Sequence, residues 1–121
     1  MIRKKEEMAV IDRPKMHGGN GTVYITQILK KEEMMGNGRL FGKVQIDPGC
    51  SCGDHSHSHE AEIFYIISGI LEATEDGGEP KLLCAGDVLF TGHGHSHSIA
   101  NKSTEPAIMI AVILNGDDNF E

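Results

Sequence analysis

Short segments rich in β-branched and aromatic residues recur along the chain, and glycine-containing turns separate them. Their regular spacing predicts an all-β sandwich or barrel. Within Arg39–Ile46, the side chains of Lys43 and Gln45 alternate with apolar ones, so we expect a strand with one buried face. The predicted strands are Thr22–Leu29, Arg39–Ile46, Glu62–Ile67, Ile70–Thr74, Asp87–Phe90, Ser96–Asn101 and Pro106–Leu114.

The run from Ile63 to Ile67 departs from this alternation because it is apolar at every position. A strand of this kind is expected to be covered on both faces. In a small barrel a second copy of the chain is the simplest outer cover, so the run predicts a homodimer. Helical turns are expected only within the first dozen residues and at Lys30–Met35, and neither segment is amphipathic.

The length of the chain is that of one compact domain. It has 121 residues, and 39% of them are hydrophobic, which is enough for a real core. The sequence contains no internal repeat and no linker-like segment. We therefore expect a single domain over residues 1–121.

Charge and cysteine content narrow the choice of partners and compartment. Acidic residues outnumber basic ones by 18 to 11, and the formal net charge of −7 disfavours binding to nucleic acid. The apolar runs are far shorter than the roughly 18 residues of a membrane helix, and the N-terminus carries charges where a signal peptide is apolar. Three cysteines, an odd number, favour reduced thiols. These features predict a cytoplasmic protein with no membrane partner.

Six of the seven histidines fall in two short tracts, and these are the main candidates for chemistry. Histidines two positions apart on a strand project from the same face, so their imidazoles can reach one ion. Glu62 follows His57 by five positions, which places it on the opposite face of a regular strand. A bend or bulge must intervene if Glu62 is to join the histidines. The tracts consist of His55, His57, His59, His93, His95 and His97.

Two other interpretations of the first tract are open. An alternating Ser/His segment can be a solvated loop that holds metal only incidentally. Two thiolates and two imidazoles also suit tetrahedral zinc, and that site would use Cys50, Cys52, His55 and His57. If this zinc site is absent, Cys50 and Cys52 are expected in a loop near the barrel mouth. Cys84 is expected to be a small core residue.

Two spaced patterns enclose the histidine tracts. The first is glycine, five residues, His-x-His, four residues, glutamate, six residues and glycine, and it is formed by Gly49, His55, His57, Glu62 and Gly69. The second is formed by Gly86, Gly92, Gly94, His97 and Asn101, with Gly92 in the place of a proline. In order and separation these patterns resemble the two motifs of the cupin family, within residues 49–69 and 86–101.

The resemblance implies a fold and a site. The fold would be the cupin double-stranded β-helix, a jelly-roll barrel with the site inside. Asn101 would be structural, and the motif glycines Gly49, Gly69, Gly86 and Gly94 would serve the backbone. His59, His93 and His95 match no ligand position and are expected at the rim. The resemblance assigns the metal ligands to His55, His57, Glu62 and His97.

The same resemblance implies a class of function. Nitrogen and oxygen ligands suit Mn, Fe, Co, Ni, Cu or Zn, so the cofactor is expected to be one divalent transition metal ion. The expected protein is a metal-dependent enzyme, dioxygenase-like or isomerase-like, acting on a small polar organic substrate in the barrel. The alternative is a non-catalytic sugar- or metabolite-binding protein that uses the same metal. Because imidazoles bind metal when deprotonated, we expect metal loss below about pH 6.

Overall fold

The computed structural model describes residues 1–116, which form ten strands in two antiparallel sheets. Short 3₁₀ turns lie at Lys5–Glu7, Met16–Gly18 and Lys31–Met34. The strands are β1 (Val10–Pro14), β2 (Thr22–Leu29), β3 (Gly38–Ile46), β4 (Ser51–Ser56), β5 (Glu60–Ser68), β6 (Leu71–Glu75), β7 (Lys81–Leu83), β8 (Val88–Thr91), β9 (Ser96–Ala100) and β10 (Ala107–Asn115).

The two sheets differ in size and enclose the core between them. The larger has the order β1-β2-β3-β10-β5-β8, and the smaller has the order β4-β9-β6-β7. Along the central strand β10, buried residues alternate with half-buried ones, as a strand with one face on the core requires. Completely buried side chains come from both sheets, for example Ile46 and Ile66 from the larger and Leu71 and Ile99 from the smaller. The all-β prediction is confirmed.

All seven predicted strands are present, with ends that shift by at most two residues. Three further strands were not predicted: β1, β4 and β7. Each of them is an edge strand of its sheet, where one side of the backbone lacks a partner strand and polar residues are common. The first dozen residues therefore contain the start of a strand as well as the expected helical turn. The helical turn expected within Lys30–Met35 is confirmed, whereas the turn at Met16–Gly18 lies outside both expected segments.

The apolar run in β5 was expected to be covered on both faces, but within a single chain only one face is covered. Phe64 and Ile66 are buried on the inner face, whereas Tyr65 is 48% exposed and Ile67 is 46% exposed on the outer face. The chain itself therefore covers only one face of the run. The outer face continues across the neighbouring edge strand β8 through Val88 and Phe90, which is 60% exposed.

The turn between β1 and β2 lies tightly against β4. Lys15 and His17 both adopt left-handed backbone conformations, with φ of 49° and 50°, which non-glycine residues seldom do. A Cβ atom on Gly19 would collide with the Ser51 carbonyl, and one on Gly53 would collide with the His17 carbonyl. This close backbone approach fixes the position of the His17 side chain over β4.

Asn101 has the structural role that the family resemblance implies. It is completely buried, and its amide nitrogen donates to the carbonyl oxygens of Ile46 and Glu105 at 2.8 and 2.7 Å. Its amide oxygen accepts from the backbone and hydroxyl of Ser103. These bonds tie the β9–β10 connection to the end of β3. The motif glycines Gly49, Gly69, Gly86 and Gly94 all have positive φ, from 81° to 93°.

Two of the cysteine predictions are wrong. Cys84 is exposed rather than in the core, because it lies in the turn before β8, where its backbone N–H and thiol face the Asp87 carboxylate. Cys52 lies on β4 rather than in a loop, and its side chain is buried in the core. Cys50 does lie in the loop before β4 and is half-buried. All three thiols are free.

Candidate metal centre

Four side chains from both sheets converge inside the barrel. His55 lies on β4 directly opposite His97 on β9, His57 follows the end of β4, and Glu62 lies on β5. The Nε2 atom of His97 is 3.1 Å from His55 Nε2 and 3.4 Å from His57 Nε2. The Oε1 atom of Glu62 is 3.1 Å from the Nε2 atoms of both His57 and His97, and 3.8 Å from that of His55.

Glu62 joins the histidines, although it follows His57 by an odd number of residues, because the chain passes from one sheet to the other between them. Strand β4 ends at Ser56, and the chain turns at His59, which has φ of 58°, before β5 begins in the larger sheet. Glu62 therefore meets His57 across the barrel rather than along one strand. A bulge between Cys52 and His55 shifts the β4 register so that His55 is aligned with His97.

The outer nitrogen of each imidazole has its own hydrogen-bond partner. His55 Nδ1 donates to the Gly53 carbonyl at 2.9 Å, and His57 Nδ1 donates to the Glu60 carboxylate at 2.8 Å. Because a carbonyl and a carboxylate only accept, these two nitrogens carry the proton. His97 Nδ1 lies 2.7 Å from the hydroxyl oxygen of buried Thr91. This arrangement leaves the three Nε2 atoms facing one point.

The position between the three Nε2 atoms and the Glu62 carboxylate favours a cation. Three imidazole lone pairs and a carboxylate repel one another unless a proton or a metal ion lies between them. Metal–nitrogen bonds of about 2.1 Å at right angles would separate neighbouring ligand atoms by about 3 Å. The observed separations of 3.1 to 3.8 Å match a site of this size. The four residues are therefore able to hold a metal ion.

The contacts within the cluster also shift the pKa of its members. Burial lowers the pKa of His55, but its hydrogen bonds with Cys52, Glu62 and Gly53 outweigh burial and raise that pKa to about 10. Burial raises the pKa of Glu62, but hydrogen bonds from the imidazoles hold it well below its usual range. Metal must displace a proton from this cluster in order to bind.

A second carboxylate supports the ligand His57 from outside the cluster. Glu60 accepts two hydrogen bonds from the Arg39 guanidinium, at 2.8 and 2.7 Å, while it accepts the His57 proton. The bond with Arg39 is the main cause that lowers the pKa of Glu60 to about 2. Glu60 therefore stays ionised and fixes both the orientation and the tautomer of His57.

A cavity of about 240 Å³ opens in front of His55, His57 and Glu62, with His97 buried behind them. Its walls are mainly apolar and come from strands β1, β2, β3 and β10. Polar groups enter it from the N-terminal part of the chain, namely Arg13, His17 and Gln27, and from Arg39 on β3. A mainly apolar cavity with a few convergent polar groups is typical of a small-molecule site.

The alternative zinc site of Cys50, Cys52, His55 and His57 is not formed. Cys50 belongs to neither of the groups of metal-binding side chains found within residues 1–116. Cys52 approaches His55 together with His17, but the His17 and His55 rings are stacked face to face, with centroids 3.8 Å apart and planes 11° apart. An ion in the plane of one ring would lie above the plane of the other, so this stacked pair does not form a second site.

The remaining histidines lie away from the cluster. His59 and His93 stack on each other with centroids 4.8 Å apart, and the His59 backbone N–H donates to His93 Nδ1. His95 Nδ1 lies 2.8 Å from the Asp76 carboxylate. Within residues 1–116, none of the three belongs to a metal-binding group, and they lie at the β8–β9 end of the barrel.

Sequence reasoning did not single out His17, Glu60 or Thr91. The first lies outside both histidine tracts, and only the tight turn between β1 and β2 brings it to the cavity. Glu60 follows His57 by three positions, a spacing that has no meaning until the turn after β4 is known. Thr91 precedes the second tract and reads as an ordinary strand residue.

Comparison with known proteins identifies the family. The sequence model of the cupin domain family matches residues 42–113, and this range includes all ten positions of the two motifs. The chain therefore belongs to the cupin family, as the spacing of its two motifs indicates. None of the helical turns in residues 1–116 has the length and hydropathy that a membrane-spanning helix needs.

Three relatives illustrate how far the similarity extends. An oxalate-binding protein of Thermotoga maritima is 38% identical over 94% of this chain and 93% of its own. The crystal structure of a predicted oxalate decarboxylase from Thermotoga maritima has a TM-score of 0.89, with 36% identity over 95% of this chain and 99% of the other. KdgF from Halomonas sp., at 18% identity, covers 90% of this chain and 89% of its own with a TM-score of 0.64, which is evidence for the fold alone.

Proposed function

We propose that this cupin is a metal-dependent binding protein for a small chelating carboxylic acid, with oxalate as the model ligand. His55, His57, Glu62 and His97 would together hold one divalent transition metal ion. The observation that carries the proposal is the convergence of three imidazole nitrogens and one carboxylate oxygen at a cavity of about 240 Å³. The 38% identity to an oxalate-binding protein supports it.

The charge of the site favours an anionic ligand. Three neutral imidazoles and one carboxylate leave a divalent ion with about one net positive charge. A metal ion bound there would supply a Lewis acid for the oxygens of the ligand. Acids with adjacent oxygens are the ligands that this chemistry favours. The chain contributes the apolar walls around the site, which exclude water and strengthen charge pairing.

Catalysis is a second candidate function. A metal-dependent oxidoreductase of dioxygenase type, or an isomerase, would use the same four residues. The observation in its favour is the His17 imidazole, which lines the cavity and stacks on His55. Burial is the main cause that lowers the pKa of His17, so the ring is neutral at pH 7 and able to accept a proton from a bound substrate.

One experiment separates these functions. The protein is purified, its metal content is measured, and the Mn(II)-, Co(II)- and Zn(II)-loaded forms are titrated with oxalate by calorimetry. Binding that requires metal and leaves oxalate intact supports the binding function. Consumption of oxygen or conversion of the acid, lost in a His17→Gln variant, would favour catalysis. Failure of every metal-loaded form to bind oxalate or a larger chelating acid would contradict the binding function.

We also propose that the whole chain forms one cupin domain, works in the cytoplasm and assembles as a homodimer. The apolar outer face of β5 and β8 supports the dimer, since Tyr65, Ile67, Val88 and Phe90 are about half exposed there in a single chain. A second copy placed on this face would bury side chains that one chain leaves in water. The free thiols of all three cysteines suit a reducing compartment.

A further inference from the structure

One wall of the cavity is formed by the hairpin of β1 and β2. Ile11, which is half-buried, and Arg13, which is exposed, lie opposite Ile25 and Val23 of β2. All four of these side chains line the cavity that contains the metal-binding group. The hairpin therefore places Arg13, an exposed residue, at the same cavity as His55, His57 and Glu62.

The positive charge of Arg13 has no paired carboxylate among the residues that the structure describes. Arg13 makes no hydrogen bond or ion pair with any residue in the described range 1–116, whereas Arg39, which lines the same cavity, is bound to Glu60. Among the described residues that line the cavity, Glu62 is the acidic one, and its carboxylate faces the imidazoles. Arg13 is thus available to an anion from outside.

The volume of the cavity suggests a ligand longer than oxalate. At about 30 Å³ for each water molecule in the liquid, 240 Å³ holds about eight waters, which is more than a two-carbon diacid displaces. Oxalate also uses both of its carboxylates when it chelates an ion, so it leaves no anionic group for Arg13. A longer acid keeps a second carboxylate away from the chelating end.

We propose that Arg13 binds the distal carboxylate of a 2-hydroxy or 2-oxo dicarboxylic acid. The first carboxylate of the ligand and its neighbouring oxygen face His55, His57, Glu62 and His97, and the second carboxylate pairs with the guanidinium. Arginine is suited to this part because its planar fork binds a carboxylate with two parallel hydrogen bonds. This inference rests on the proposed function, since it assigns the far end of the same ligand.

The half-buried Gln27 adds a polar group to this end of the cavity. Its side chain points inward from β2, like Val23 and Ile25, and its amide has no hydrogen-bond partner among residues 1–116. An amide donor beside the guanidinium suits a carboxylate oxygen. Arg13 carries the charge, and Gln27 contributes a neutral hydrogen bond.

The test compares pairs of acids that differ only in the distal carboxylate. The Co(II)-loaded full-length protein is titrated by calorimetry with malate against 2-hydroxybutanoate, with 2-hydroxyglutarate against 2-hydroxypentanoate, and with oxalate. We expect the dicarboxylate of at least one pair to bind about tenfold or more tightly than its partner, because a bidentate charge-assisted pair contributes that much. Arg13→Gln should remove the difference and leave oxalate binding unchanged.

Two further variants make the result specific. Arg13→Lys keeps the charge without the fork and should retain only part of the preference. Lys43→Gln removes one positive charge from the exposed face of β3 and should keep the full preference, because Lys43 lies outside the cavity. Two outcomes would overturn the assignment of Arg13 but leave the proposed function standing. One is equal affinity within both pairs of acids while oxalate still binds, and the other is a preference for the dicarboxylate that survives in Arg13→Gln. If no acid binds in any metal-loaded form, both the proposed function and the assignment of Arg13 are wrong.

Discussion

The Nδ1 atom of His57 lies 2.8 Å from Glu60 Oε1, and the guanidinium of Arg39 holds the same carboxylate from its other side. This chain of contacts fixes the His57 tautomer before any ion is present. The carboxylate that orients His57 and the carboxylate of the cluster itself, Glu62, thus lie two residues apart on the same strand, β5.

Replacing the supporting carboxylate is expected to weaken metal binding. Glu60→Gln keeps the shape of the side chain but removes its charge, and loss of such a supporting group typically costs 10- to 100-fold in metal affinity. Competition with a fluorescent chelator measures the change. Glu79→Gln, in an exposed loop, is the matched control and should leave the affinity unchanged. Equal affinities for Glu60→Gln and the unmodified protein would show that His57 needs no support.

Metal binding is expected to strengthen with pH well above neutrality. The pKa of His55 is raised from 6.5 to about 10 in the metal-free protein, so the proton stabilises that form fully below pH 6.5, and this stabilisation is lost as pH rises towards 10. The metal has less proton competition over the same range. The increase in melting temperature caused by metal should therefore grow between pH 6.5 and 9.

Acid should have the opposite effect and release the metal, as expected from the sequence. Elemental analysis after dialysis at a series of pH values measures the bound metal, and differential scanning fluorimetry measures the thermal shift. A metal-induced shift that stays flat between pH 6.5 and 9 would contradict the assignment of a high pKa to His55.

The dimer can be tested at the outer face of β5 and β8. Phe90 is 60% exposed there, and Phe90→Glu would place a charge inside the proposed interface, where an unpaired buried charge is costly. We expect sedimentation at micromolar concentration to show a dimer for the unmodified protein and a monomer for the variant. Leu82→Glu is the control, because Leu82 is 70% exposed on β7 in the other sheet. A monomeric unmodified protein would refute the dimer.

Asn101 is expected to matter for stability rather than for the metal. Asn101→Ala removes the donor to the Ile46 and Glu105 carbonyls and leaves buried groups without partners, which should lower the free energy of unfolding by about 2 kcal/mol or more. Urea denaturation measures the loss. Asn37→Ala, at an exposed turn, is the control and should cost less than about 0.5 kcal/mol. Metal affinity that fell while stability did not would assign Asn101 to the site.

The parts of the fold that sequence predicts are those with a buried face. Strand β2 alternates apolar and polar residues because one side contacts the core, and this alternation is visible in the sequence. Strand β10 is visible instead as an unbroken apolar run from Ala107 to Leu114. The edge strand β4 reads Ser-Cys-Gly-Asp-His-Ser, without such a pattern, and it forms because β9 offers it backbone partners. The two-residue spacing of the histidines still places them correctly.

The groups that support the cluster depend on contacts distant in sequence. Thr91 is found only through its position in front of His97, and Arg13 only through the pairing of β1 with β2. Cys84 shows the reverse case, in which a small apolar residue suggests burial but the turn before β8 exposes it. Motif spacing predicts which residues converge, but only the packed structure shows what surrounds them.

The cluster draws His55, His57 and His97 from the four-stranded side of the barrel and Glu62 from the six-stranded side. A single ion held by all four would clamp the two layers together, so its removal should loosen the barrel where the layers meet. Hydrogen exchange would then accelerate first in β4 and β9, and leave β10 slow. The ion would thus decide how easily the mouth of the barrel opens, and with it how quickly a ligand enters or leaves.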